Sequence, residues 1–282
     1  MISYPLGVGT VITRIIEAGH GDKVLLLLHG FTSRADRWRG NIDDFATLGY
    51  RVVAPDLPGH GFASKDPAFD HSVGGYRNFI VALLDRLQIQ RAVMVGTSLG
   101  GHVLADVTCR EPERVEKLVM IGSMGLQALA EGQISAINNG LNEMSIKAIR
   151  ARLLTVFSDA SLVSDDLVSE DMLFNTSPGA QESLLAFGRY LAERFNGDLI
   201  LDHLARIDGQ VPLLLLWGDQ DMPAPVEIAY AARARLSNAR LAVMTGINHM
   251  PYMEDPSLFR RIVEAFLRNS LNELPTAGVT II

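Results

Sequence analysis

The chain has 282 residues, 48% hydrophobic and 20% charged, the composition of a globular protein long enough to bury a large core. Its net charge of −7 and isoelectric point near 5.5, with no Lys/Arg cluster, argue against a nucleic-acid or anionic-membrane surface.

In chain order, residues 1–9 lack the basic segment and apolar stretch of a signal peptide. No apolar run approaches the roughly 20 residues of a membrane-spanning helix, so a cytoplasmic location is the expectation. Residues 10–17 alternate and predict an antiparallel hairpin strand near a sheet edge. Residues 24–28 form a continuous apolar run, as a strand buried on both faces requires, and 51–55, 92–96, 115–121, 212–217 and 240–244 read the same way.

Helical spacing falls between these runs. Residues 73–87 carry Phe79, Leu83, Leu84 and Leu87 on one face. Residues 99–110 follow a tight glycine turn and include Cys109, the single cysteine, expected to be a small buried apolar residue rather than half of a disulfide. Residues 227–236 are rich in alanine, and 256–268 open with Asp255 as N-cap and Pro256 at the first helical position. The alternation predicts an α/β fold with a doubly wound, mainly parallel sheet.

The rhythm breaks between 123 and 207, where only helices are expected, over 132–141, 145–157, 169–174 and 180–193. This predicts a helical cap, 123–207, inserted into a core of 1–122 and 208–282. The tail, 271–282, lacks periodicity and is expected to be mobile or to dock on a neighbour.

Gly96-Thr97-Ser98-Leu99-Gly100 stands where an apolar strand hands over to a helix. That is the context of a nucleophile elbow, in which flanking glycines relieve crowding around a serine held in a strained turn. A serine hydroxyl needs a base within hydrogen-bond reach. His249 sits in a loop after the last apolar run, whereas His203 precedes every acid candidate. The acid must follow the 212–217 strand, which leaves Asp219 and Asp221; Asp221 is preferred because Asp219, next to Gly218, suits turn formation. The backbone N–H groups of Phe31 and Leu99 are the expected oxyanion donors. His29 is read as a structural hydrogen-bonding residue, and Gly30, Thr32 and Met250 as substrate contacts. No metal-ligand spacing and no phosphate cradle occur, so neither metal nor cofactor is expected.

With these residues in view, the chain resembles the α/β-hydrolase superfamily. The matching stretches are His29-Gly30-Phe31, Asp56-Leu57-Pro58-Gly59-His60-Gly61, 96–101, Trp217-Gly218-Asp219-Gln220-Asp221 and 248–256. The resemblance implies an eight-stranded sheet with the cap inserted after the sixth strand, and supports Asp221 as the acid. Residues 153–168 and 177–180 look like the cap of meta-cleavage-product hydrolases, which split carbon–carbon bonds in vinylogous diketone acids. Phe31-Thr32-Ser33 replaces that group's Ser-x-Gly-Pro-Gly loop, Thr97 its asparagine, Asp171 its cap arginine and Met250 its tryptophan. Were such an acid the substrate, Arg34, Arg37, Arg150, Arg152 or Arg189 would have to hold its carboxylate, and each is expected on the solvated surface.

Three readings follow. The first is hydrolysis of a small, partly apolar ester or lactone through an acyl-Ser98. The second is carbon–carbon bond hydrolysis by the same triad, and the third a low-turnover ligand receptor on the same fold. The partner implied is a small-molecule substrate held between sheet and cap, with neither nucleic acid nor membrane; a homodimer is left open. Met124, Leu126, Leu129, Met144, Leu154, Phe157 and Phe187 are the cap residues available to wall the pocket, each equally suited to ordinary packing.

Overall fold

The computed structural model describes residues 1–275 and 277–282. Its strands are β1 (Ile2–Val8), β2 (Val11–Ala18), β3 (Lys23–Leu28), β4 (Tyr50–Pro55), β5 (Ala92–Thr97), β6 (Val115–Ile121), β7 (Leu213–Gly218), β8 (Arg240–Met244) and β9 (Val279–Ile281). They form one sheet in the order β1-β2-β4-β3-β5-β6-β7-β8-β9. The block from β4 to β8 is parallel, while β1, β2 and β9 run antiparallel to their neighbours.

All six apolar runs lie in the parallel block, and the reason is visible in β3. Val24, Leu26 and Leu28 join the apolar cluster on one face, whereas Leu25 and Leu27 join the cluster on the other. Side chains alternate along a strand, so burial on both faces demands an unbroken apolar run. Each fully buried leucine contributes about 1.5–3 kcal/mol, which makes such a strand expensive to expose.

The helices are α1 (Arg39–Thr47), α2 (Val73–Arg86), α3 (Leu99–Arg110), α4 (Glu131–Asn142), α5 (Ile146–Leu154), α6 (Asp165–Asn175), α7 (Ala180–Glu193), α8 (Leu201–Arg206), α9 (Glu227–Arg235), α10 (Pro251–Glu254) and α11 (Pro256–Leu267). Those from α4 to α8 fall between β6 and β7, where the sequence pattern lost its strands. α11 begins as read: Asp255 Oδ1 accepts the Leu258 N–H at 2.9 Å, and Leu258, Phe259, Ile262, Val263 and Phe266 bury one face. Cys109 is half-buried on α3, and burial pushes its thiol up to about 12. Among the described residues no helix is long and apolar enough to cross a membrane.

The structure corrects the sequence reading in three places. The sheet has nine strands, not eight. The extra one is β9, from the tail expected to be mobile or to dock on a neighbour. It pairs Val279 with Met244 and Ile281 with Ala242, and its three residues are too few to display periodicity. α6 starts four residues before the expected 169, because Ser164 Oγ accepts the Leu167 N–H at 3.1 Å and caps it there. α1 escapes the pattern because it buries only Ile42 and Phe45 among its apolar residues, beside Asn41.

Candidate active site

β5 ends at Thr97 and α3 begins at Leu99, so Ser98 is the one-residue turn between them. Its backbone sits at φ 52°, ψ −117°, a conformation that costs a non-glycine residue about 1–3 kcal/mol. Surrounding bonds offset that cost: Ser98 N–H donates to Ile121 O at 2.8 Å, and Ser98 O accepts from His102 and Met124 N–H at 3.2 Å each. The glycines are steric necessities. A Cβ on Gly96 would stand 2.5 Å from the Gly100 backbone, and one on Gly100 would stand 2.5 Å from Leu28 O.

Asp221 follows β7 and His249 follows β8, at the same carboxyl edge of the parallel block as Ser98. His249 Nδ1 lies 2.9 Å from both Asp221 oxygens, and Asp221 Oδ1 also accepts the Ala224 N–H at 2.8 Å. Both side chains are buried. Among the described residues His249 Nε2 has no partner, which leaves it available for proton exchange. Asp219 is exposed, and its carboxylate accepts the Gly246 N–H at 2.7 Å instead. Directly after β6, Gly122 at φ +47° makes room for the buried pair. A Cβ there would lie 2.7 Å from Asp221 Oδ2 and 2.8 Å from His249 Nδ1.

The loop carrying His249 is held from several sides. Its own N–H donates to Val156 O in the cap at 3.2 Å, and Asn248 Nδ2 donates to Thr155 O at 3.2 Å. Glu254 Oε1 accepts the Asn248 N–H at 3.0 Å, while Oε2 accepts the Ser158 N–H at 2.8 Å. Gly122, Glu254 and the Val156 carbonyl were not anticipated; Glu254 and Val156 lay within stretches that stood out, 248–256 and 153–168, but nothing there marked the carboxylate or the carbonyl.

After β3, His29 Nδ1–H donates to Gly30 O at 2.8 Å and Nε2 accepts the Leu57 N–H at 2.9 Å, which fixes the start of the loop. Burial pushes His29 down to about 4 and neighbouring His60 to about 3, so both are neutral at pH 7. His29 thus has the hydrogen-bonding place expected of it. Gly30 packs tightly on the turn, since a Cβ there would come 3.1 Å from Ser98 Cβ. Among the described residues the backbone N–H groups of Phe31 and Leu99 have no acceptor. Two free donors thus flank the residue before α3 and the loop after β3, as an oxyanion site needs.

A cavity of about 230 Å³ is lined by Gly30, Phe31, Thr32, Ser98, His249 and Met250, while Asp221 and the Leu99 side chain stand behind its wall. Met124 and Leu129 also line it, and Phe187 backs Phe31 with ring centroids 4.4 Å apart. Leu154 points elsewhere and is exposed. An outer chamber of about 530 Å³ reaches Thr155 and Met222 and shares Phe31, Thr32, Leu153, Val156 and Asp171 with the inner one. Arg34 and Arg37 are not on the solvated surface. They are 2% and 6% exposed, because both bond Asp171 of α6. Among the described residues no three His, Cys, Asp or Glu side chains gather as metal ligands would.

Comparison with known proteins places this geometry in context. The profile of the alpha/beta hydrolase fold matches residues 23–256. The dihydrolipoyllysine-residue acetyltransferase component of the acetoin cleaving system of Pseudomonas putida is 31% identical over 93% of this chain and 68% of its own. A 2-hydroxy-6-oxononadienedioate/2-hydroxy-6-oxononatrienedioate hydrolase of Cupriavidus pinatubonensis is 29% identical over 90% of this chain and 89% of its own. Among solved structures, 2-hydroxy-6-oxo-6-phenylhexa-2,4-dienoate hydrolase from Rhodococcus sp. superposes with a TM-score of 0.86, at 22% identity over 95% of this chain and 98% of the other.

Proposed function

Because the chain belongs to the α/β-hydrolase fold family, we propose that it is a serine hydrolase acting on a small, partly apolar acyl compound, a carboxylic ester or lactone. The observation that carries this reading is the buried Asp221–His249 hydrogen bond at 2.9 Å beside a cavity that also holds Ser98.

In this mechanism Ser98 Oγ attacks the acyl carbonyl while His249 Nε2 takes its proton. Asp221 holds the imidazole by Nδ1 and stabilises the cation that forms. The carbonyl oxygen, now negative, accepts from Phe31 and Leu99 N–H, each such donor worth about 3–4 kcal/mol in the transition state. His249 returns the proton to the leaving alcohol, and water, activated by the same imidazole, releases the acid from Ser98. Gly30, Thr32 and Met250 contact the bound substrate.

The names of the Cupriavidus and Rhodococcus proteins favour a second reading, carbon–carbon hydrolysis of a dienoate acid by the same triad. Turnover assayed on p-nitrophenyl esters, lactones and ring-fission dienoates separates the two. The ester reading expects ester or lactone hydrolysis, its loss in Ser98→Ala, and stoichiometric labelling of Ser98 by a fluorophosphonate. Bleaching of the dienoates with no ester turnover selects the second reading. Absence of labelling removes the nucleophile and leaves a ligand receptor.

A further inference from the structure

Asp171 is the one charged residue, among those described, on the wall common to the inner cavity and the outer chamber. It is 6% exposed, and its Oδ1 takes two cationic contacts, from Arg34 Nη1 at 2.6 Å and from Arg37 Nη2. Among the described residues Asp171 Oδ2 has no hydrogen-bond partner, and the Arg37 side chain makes no hydrogen bond besides the one to Asp171. Arg37 lines the inner cavity as well. A free acceptor and free donors therefore belong to adjacent residues on one small cavity.

The charges packed against their inner side are already matched. Arg34 and Arg37 stand against Glu170 and Asp171, and Asp36 and Asp56 stand against Arg14 and Arg39, while Arg152 on the outer chamber wall donates to the Gly140 carbonyl at 3.0 Å. A substrate carboxylate placed here would add a like charge beside a buried aspartate, with little water to screen it. A cation would meet Arg37 in the same way. A neutral group that both donates and accepts satisfies Oδ2 and the guanidinium without either penalty.

We infer that the substrate carries an uncharged hydrogen-bonding group, a hydroxyl or a carboxamide, which Asp171 and Arg37 read together, and that Asp171 turns away free carboxylates. The turnover arm of the test rests on the serine-hydrolase reading, and a binding arm does not.

The turnover arm uses four p-nitrophenyl acyl esters of one chain length, ending in methyl, hydroxyl, carboxamide or carboxylate. The expected kcat/KM for the hydroxyl and carboxamide esters is at least about tenfold above that for the carboxylate ester. In Asp171→Asn the carboxylate-to-methyl ratio is expected to rise at least about tenfold, since the repelling charge is gone. The binding arm measures the thermal shift of Ser98→Ala with the four corresponding ethyl esters and expects the same order. That order without hydrolysis by the unmodified protein would overturn the hydrolase reading and support this one. Preference for the carboxylate ester, or a ratio unmoved by Asp171→Asn, overturns the inference, as does absence of a shift with all four ligands.

Discussion

Asp219 accepts the backbone N–H of Gly246 at 2.7 Å, so the carboxylate that does not reach the imidazole still ties down the loop on which the imidazole is mounted. Asp219 and Asp221 thus serve the same histidine at different removes. The contact of Asp219 is exposed, where a hydrogen bond contributes only about 0.5–1.5 kcal/mol, whereas Asp221 is buried against His249. Asp219→Ala is expected to lower kcat/KM less than about tenfold, and Asp221→Ala by about 10³–10⁴-fold. Steady-state kinetics on one ester compares them directly; equal losses would refute the assignment.

Glu254 joins two parts of the chain, Asn248 beside His249 and Ser158 between β6 and β7. Replacing it by alanine leaves both N–H groups without that acceptor and loosens the loop. The expected result for Glu254→Ala is a fall in kcat of about tenfold or more with KM changed less, since misplacing a base by an ångström costs up to about 10² in rate. Rescue by Glu254→Gln, which keeps one acceptor oxygen, is the accompanying control. An unchanged kcat in the alanine variant would show that the other bonds suffice.

Gly122 is a position where one methyl group decides. Its positive φ and the 2.7 Å gap to Asp221 Oδ2 mean that alanine must displace the carboxylate, the imidazole or the strand end. Gly122→Ala is expected to cost about 10²-fold in kcat/KM, by the same sensitivity to placement. Its Tm should also fall, which differential scanning calorimetry reads. Wild-type kinetics in a folded Gly122→Ala protein would contradict the packing described.

Three histidines make stability depend on acid. Burial pushes His29 down to about 4, His60 to about 3 and His102 to about 4, against about 6.5 in an unfolded chain. Below 6.5 the unfolded chain binds protons that the folded chain refuses, so the stability they contribute is complete above that pH. It is lost progressively as the pH falls toward 4, by up to about 1.4 kcal/mol per pH unit for each histidine. Tm is therefore expected to drop steadily between pH 7 and pH 5 in thermal melts. A flat profile over that interval would mean that these imidazoles are not kept neutral by the fold.

The short β9 covers an edge. Removing residues 277–282 uncovers β8, whose backbone groups would then face solvent or another chain. The truncated protein is expected to melt several degrees lower, at about 2–4 °C per kcal/mol lost in a chain of this size. It should also elute partly as larger species in size-exclusion chromatography. A monodisperse product with an unaltered Tm would make the strand dispensable.

What could be read from the amino acids alone follows the range of the interactions involved. Val24 to Leu28 report their own burial because both faces of a strand are written within five residues. Ser98 is legible because its glycines stand two places away on either side. Asp171 was visible as a departure from a family pattern, but its partner Arg37 lies 134 positions away and looked like surface charge. Glu254 meets Ser158 across 96 positions, and no window of sequence relates the two. The ninth strand was illegible for another reason: β8 supplies its pairing edge, so its few residues need little character of their own.

The hydrogen bond from His249 N–H to Val156 O has a consequence for how this protein could be re-engineered. Grafting the lid of a homologue onto this scaffold, in the hope of importing its selectivity alone, would also exchange the support beneath the imidazole. A productive chimaera would have to carry over residues 245–254 together with the graft, so that chemistry and selectivity are inherited as one unit.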